Sequence, residues 1–318
     1  MTNAPKIGRG HEEYEWVTIE STVVRLPPPD RFDGMQIVER EDIMEKALAA
    51  WSRLDATPPL NIRFYGPSGV GKSMIPISLA KALDKDLYIM DGSEEIDPDW
   101  LICTPHIDKD RIIYHGTAIL SAVLKGGILF FDEIGKVPRS ALSKLHCLLD
   151  HRHRVYSEIA GLRLKVHEDF LFCSALSKEE EENQVLGEEI QNRISVAIEV
   201  PYPDAKLLEE ILRSQLPKAA DIWFKAFIKE FGRCGLTPRA CDTLLRSAYK
   251  SCLKETGGSG KEEDVLRYLR KAVDDTGAVV RKTLARPTDE ISSPAKVRRN
   301  ARFPALFNNV PKDPDSLH

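Results

Sequence analysis

The run Gly66-Pro67-Ser68-Gly69-Val70-Gly71-Lys72-Ser73 has the glycine, lysine and hydroxyl spacing of a phosphate-binding loop. Its glycines let successive backbone N–H groups turn inward toward one phosphate chain. A helix start immediately downstream adds partial positive charge, Lys72 reaches the terminal phosphates, and the Ser73 hydroxyl suits a Mg²⁺ ligand. A second motif, Gly127-Ile128-Leu129-Phe130-Phe131-Asp132-Glu133, ends an apolar run in two acids. It reads as a buried parallel strand with carboxylates at its C-terminal edge, where open α/β sheets bind ligands. Asp132 is then placed to hold Mg²⁺ through water, and Glu133 to orient or deprotonate an attacking water. Together the two motifs predict a chain that handles ATP with Mg²⁺. No guanine-specifying Asn-Lys-x-Asp string is present.

Positioning these groups requires a strand before the loop and a helix after it, and the sequence supplies both at 62–65 and 74–83. Five strand candidates, at 62–65, 87–90, 128–131, 170–174 and 195–200, alternate with helical patterns. That alternation predicts an α/β fold with a parallel, doubly wound sheet. A helix over 39–54 precedes the loop strand. After Pro201-Tyr202-Pro203 the pattern is helical, at 206–216, 220–231, 239–253 and 262–285, with a flexible break at Gly257-Gly258-Ser259-Gly260. The expected organisation is an N-terminal arm (1–35), a P-loop ATPase domain (36–203), a helical lid domain (204–285) and a weakly ordered tail (286–318). The tail carries a small basic run, Lys296-Val297-Arg298-Arg299.

The chain has 318 residues, enough for two domains, and a formal net charge of −4, which gives no global footprint for nucleic acid. Six cysteines lie scattered with neither C-x-x-C nor zinc spacing and read as reduced core thiols of a cytoplasmic protein. The polar N-terminus lacks the apolar run of a signal peptide, and no stretch approaches the roughly 18 apolar residues of a membrane span. His146, Cys147, His151 and His153 read as polar residues near a subunit interface rather than a metal site, because His146 and Cys147 are adjacent on an expected helix and arginines beside His151 and His153 repel a cation. The acids at 179–182 read as a solvated loop, and Asp91-Gly92-Ser93 as a strand-end turn.

From about Gln36 to Ala285 the sequence resembles an AAA+ ATPase of the MoxR type, a group with relatives that activate Rubisco and nitric oxide reductase. Beyond the two phosphate-site motifs, Tyr114-His115-Gly116-Thr117-Ala118-Ile119-Leu120 through Lys125-Gly126-Gly127 is similar to the family's run into the acidic strand. The resemblance implies an insert of the second helix at 107–113 and a β-hairpin from 154–157 and 162–166 turning at Ala160-Gly161. Both inserts would face a pore or a partner. Gln191-Asn192-Arg193 resembles the family's arginine finger, which reaches a neighbour's ATP, the alternative being an ordinary arginine paired with an acid at a helix end. Thr237-Pro238-Arg239-Ala240 resembles the motif that places an arginine, here Arg239, on the γ-phosphate of its own chain's nucleotide. Ser177 stands where the family carries an asparagine that positions the attacking water. A shorter hydroxyl can still hydrogen-bond that water, with slower hydrolysis expected.

The resemblance implies an oligomeric Mg²⁺-ATPase, a homo-oligomer in a ring of six, that remodels or activates a client protein. A von Willebrand A-domain partner would be a separate chain. Two other functions stay open: a nucleotide-gated scaffold with little turnover, and a nucleic-acid-directed loader, which the acidic balance disfavours.

Overall fold

The computed structural model describes residues 14–53, 57–108, 111–232, 235–256 and 262–275. The glycine-rich break, the end of the last expected helix, the tail with its basic run, and Cys234 lie outside the described residues.

The chain begins with a hairpin, β1 (Glu15–Ile19) and β2 (Thr22–Leu26), followed by α1 (Glu41–Trp51), β3 (Ile62–Gly66), α2 (Met74–Leu83) and β4 (Leu87–Asp91). A second hairpin, β5 (Cys103–Asp108) and β6 (Arg111–Gly116), leads through α3 (Ala118–Lys125) to β7 (Ile128–Asp132). Two short helices, α4 (Arg139–Ser143) and α5 (His146–Leu149), precede the hairpin β8 (Arg154–Ser157) and β9 (Leu162–Lys165). Then come β10 (Leu171–Ser177), α6 (Lys178–Glu182), α7 (Gly187–Arg193) and β11 (Val196–Glu199). Four helices follow: α8 (Ala205–Gln215), α9 (Asp221–Phe231), α10 (Pro238–Thr256) and α11 (Glu262–Asp275).

The central sheet has the order β11-β3-β10-β7-β4, and its neighbours all pair in parallel. Covered on both faces, its strands can be apolar at every position. In β7, Leu129 and Phe131 enter one core while Ile128 and Phe130 enter the other. The chain leaves β3 toward β4 on one side and later returns to place β11 on the other. The phosphate loop thus lies at the point where strand order reverses, where open α/β sheets bind ligands. A third core, built around Trp223, Phe227, Leu244 and Tyr268, belongs wholly to the C-terminal helices.

The expected strands and the 154–166 hairpin form within a residue or two of the expected places, β10 running three residues further, to Ser177. Two regions differ. The expected arm contains the hairpin β1–β2, and the expected helix insert is the hairpin β5–β6. The two join through β2 and β6 into a second sheet, β1-β2-β6-β5. Val24, Leu26 and Cys103 on its inner face complete the core beside α3.

Candidate active site

The sheet brings the two phosphate-site motifs together at the ends of β3 and β7, with β10 between them. Ser73 occupies the N-cap position of α2 yet makes no cap bond; its hydroxyl instead donates to Oδ2 of Asp132 at 2.7 Å. A carboxylate joined to a hydroxyl is the hard oxygen pair that Mg²⁺ takes beside phosphate oxygens and water. Lys72 Nζ donates to the carbonyls of Gly66 and Pro67 at 2.9 and 3.0 Å, closing the loop on itself. Burial lowers its pKa, opposed by the nearby Asp132, Glu180 and Glu133 carboxylates. Pro76 falls at the third helical position of α2, where its missing N–H would have had no partner within the helix.

Lys72, Ser73, Asp132, Glu133, Ser177 and Arg239 all line one cleft of about 570 Å³. Arg239 arrives from the helical segment. Its backbone N–H donates to Gly69 O at 3.4 Å, and Thr237 caps α10 by accepting from Ala240 N at 3.2 Å. Gly69, at φ 78°, leaves room for this approach, since a β-carbon there would stand 3.0 Å from the Thr237 hydroxyl. Ile37, Val38 and Met44, with Ile211 of α8, also line the cleft and give it apolar surface suited to a flat base.

Glu133 has a left-handed backbone, φ 49°, with its N–H bonded to Asp132 Oδ1 at 2.9 Å. Its carboxylate accepts from Lys136 Nζ at 2.5 Å, and this hydrogen bond raises the lysine pKa. Ser177 is the N-cap of α6 in a capping box: its hydroxyl accepts from Glu180 N at 3.2 Å, and its own N–H donates to Glu180 Oε2 at 2.6 Å. The hydroxyl retains one proton to donate into the cleft.

Of the four acids expected to form a solvated loop, Glu179 and Glu182 are exposed, whereas Glu180 and Glu181 are engaged, and the segment is the helix α6. Glu180 lines the cleft. Glu181 makes a largely buried ion pair with Arg63 of β3 at 3.0 Å, and Arg63 also reaches the carbonyls of Gln191 and Ile194, fixing the end of α7. Sequence reasoning missed Lys136, Glu180 and Arg63. The Ser177-x-x-Glu180 spacing is a legible capping-box signature, whereas Arg63 finds its partner 118 residues away and leaves no local signal.

Of the predicted site residues, Gly66, Pro67 and Arg193 do not line the cleft, and of these only Arg193 lies outside the phosphate loop. At the C-terminal end of α7 it donates to Glu189 O at 2.6 Å, lies 3.9 Å from Asp150, and has an Nε without a hydrogen-bond partner. Hydrogen bonds from Arg152 hold Asp150 down to a pKa of about 2, so it stays ionised at neutral pH as a resting partner. Among the described residues no group of three metal-binding side chains occurs, and no helix is long and apolar enough to cross a membrane.

These features define an AAA+ P-loop fold: the five-stranded parallel sheet, the paired phosphate-site motifs and the helices that follow. Residues 61–194 match the AAA domain of the dynein-related subfamily. An uncharacterized protein of Staphylococcus saprophyticus is 25% identical over 174 residues, 53% of this chain and 66% of its own length. One from Staphylococcus aureus is 26% identical over 160 residues, covering 49% and 60%. The chain thus spans less than two thirds of the curated relatives it matches. Among solved structures, the RuvB Holliday junction branch migration motor of Thermotoga maritima superposes with a TM-score of 0.54 at 17% identity, over 74% of this chain and 70% of that one. A mutant of the same protein gives 0.55 at 15% identity, over 80% and 86%. The likeness is one of fold.

Proposed function

We propose that the chain is a Mg²⁺-dependent ATPase of the MoxR type that works as a ring, expected to be hexameric, and remodels or activates a partner protein. One observation carries the nucleotide chemistry: Lys72, Ser73, Asp132, Glu133 and Arg239, drawn from distant parts of the sequence, converge on a single cleft. Lys72 and the loop N–H groups would hold the β- and γ-phosphates, and Ser73 and Asp132 the Mg²⁺ that neutralises them. Glu133 would accept the proton of the attacking water, and Ser177 would orient that water with its free hydroxyl proton. Arg239 would meet the γ-phosphate from within the chain. Arg193, outside its own cleft, suits a neighbour's, where it would stabilise charge developing on the transferred phosphoryl group.

A scaffold with little turnover is favoured by one local observation, the Glu133 carboxylate engaged by Lys136. Nucleotide binding and turnover separate the two. Lys72→Ala is expected to abolish ATP binding measured by calorimetry, and unchanged affinity would remove the phosphate-loop assignment. Glu133→Gln is expected to retain affinity and lose at least a hundredfold in turnover. A variant as active, or as inactive, as the unaltered chain would favour the scaffold.

A further inference from the structure

The second sheet turns one face away from the core. Register places Trp16 opposite Arg25, Arg25 opposite His115, and His115 opposite Thr104, so one row of side chains crosses all four strands on the same face. The row is built of rings and a cation. The Arg25 guanidinium lies 3.9 Å over the Tyr14 ring and 6.0 Å from that of Trp16. The His106 and His115 rings stack 5.0 Å apart at 27°. Tyr14 and Trp16 are 46% and 54% exposed. Burial first, then Arg25 and His106, lower the His115 pKa, leaving a neutral ring at neutral pH. Its Nε2 has no hydrogen-bond partner among the described residues.

At the centre of this face the charge is positive. Among the described residues no carboxylate pairs with Arg25. Glu15, on the opposite face of β1, is taken up by Lys125 at 2.6 Å, and Asp108 lies at the far end of β5 opposite Arg111. The whole-chain charge of −4 thus does not describe this surface. Exposed rings set around the Arg25 cation match a ligand that carries both flat rings and negative charge. An acidic peptide offers the charge without regularly spaced rings, and a duplex hides its base faces. Three inter-strand gaps make the row ~14 Å long, room for a few stacked bases.

We propose that this face binds single-stranded nucleic acid, its bases stacking on Tyr14, Trp16 and the His106–His115 pair while Arg25 meets the phosphates. The site is separate from the ATP cleft and does not depend on hydrolysis. The test is fluorescence anisotropy at low salt on the whole chain. The probes are a labelled oligothymidylate of about 20 nucleotides, its RNA counterpart, the matching duplex and a labelled glutamate–tyrosine peptide. The expected result is binding of the single strands in preference to the duplex, weakened about tenfold by Trp16→Ala and by Arg25→Ala. ATP affinity should stay unchanged in both variants. No single-strand binding, equal binding of the duplex, or binding indifferent to both substitutions overturns the proposal. Peptide binding that alone responds to the substitutions also overturns it and assigns the face to a protein partner.

Discussion

At Glu133 the backbone and the side chain are constrained together. A left-handed φ of 49° is uncommon for a side chain of this size, and it turns the carboxylate toward Lys136, 2.5 Å away. The same hydrogen bond raises the lysine pKa, so the ammonium stays charged throughout the neutral and mildly alkaline range. Lys136 thus restrains the acid that would activate water. Lys136→Met should raise basal turnover several-fold with little change in ATP affinity, while Lys136→Arg should keep the low rate. Steady-state kinetics decide it: a fall in turnover for Lys136→Met would make the lysine a productive positioner instead. None of this was legible in the sequence, where Asp132-Glu133 marks the acids but the role of a lysine three residues on depends on the turn between them. The phosphate-loop residues and Asp132 were legible, because their chemistry fixes both type and spacing.

Among the elements, the central strands were readable from sequence because burial on both faces makes each a continuous apolar run. The two N-terminal hairpins were not. Their strands run only five or six residues and show neither a continuous apolar run nor a clean alternation, and β2 meets β6 only across 90 residues of chain, as Val24 meets Tyr114. The turn after β4 was recognised, but its purpose is visible only in three dimensions. Gly92 N donates to Asp132 O at 2.8 Å, and a β-carbon on Gly92 would lie 2.3 Å from Glu133 O. This glycine lets the end of β4 pass close against the backbone of Glu133, the proposed base. Gly92→Ala should destabilise the chain by ~1–3 kcal/mol, the usual cost of overpacking. It should also lower turnover by displacing Glu133 while ATP still binds. Denaturant unfolding together with kinetics checks both; wild-type stability and rate would show that the turn has slack.

For the whole molecule, the cleft between the sheet and the C-terminal helices brings together Ser68 to Ser73, Asp132, Glu133, Ser177 and Arg239, but not Arg193. The arrangement of α7 explains that exception: Arg63 and Glu181 pin its end to the sheet, and Asp150 holds the guanidinium loosely at 3.9 Å. An arginine so placed can serve the cleft of a second subunit, beside the Arg239 that each cleft already holds. The family resemblance had pointed to Arg193 through Gln191-Asn192-Arg193, although the carrying geometry depends on contacts far apart in sequence. The most direct test is Mg²⁺-ATP turnover per subunit against protein concentration, with particle size followed in parallel, for the unaltered chain, Arg193→Ala, and Arg193→Ala mixed with Lys72→Ala. The expected result is a rate that climbs as rings form, is lost in Arg193→Ala despite assembly, and partly returns in mixed rings. A rate per subunit that is independent of concentration and unaffected by Arg193→Ala would contradict an ATPase completed between subunits.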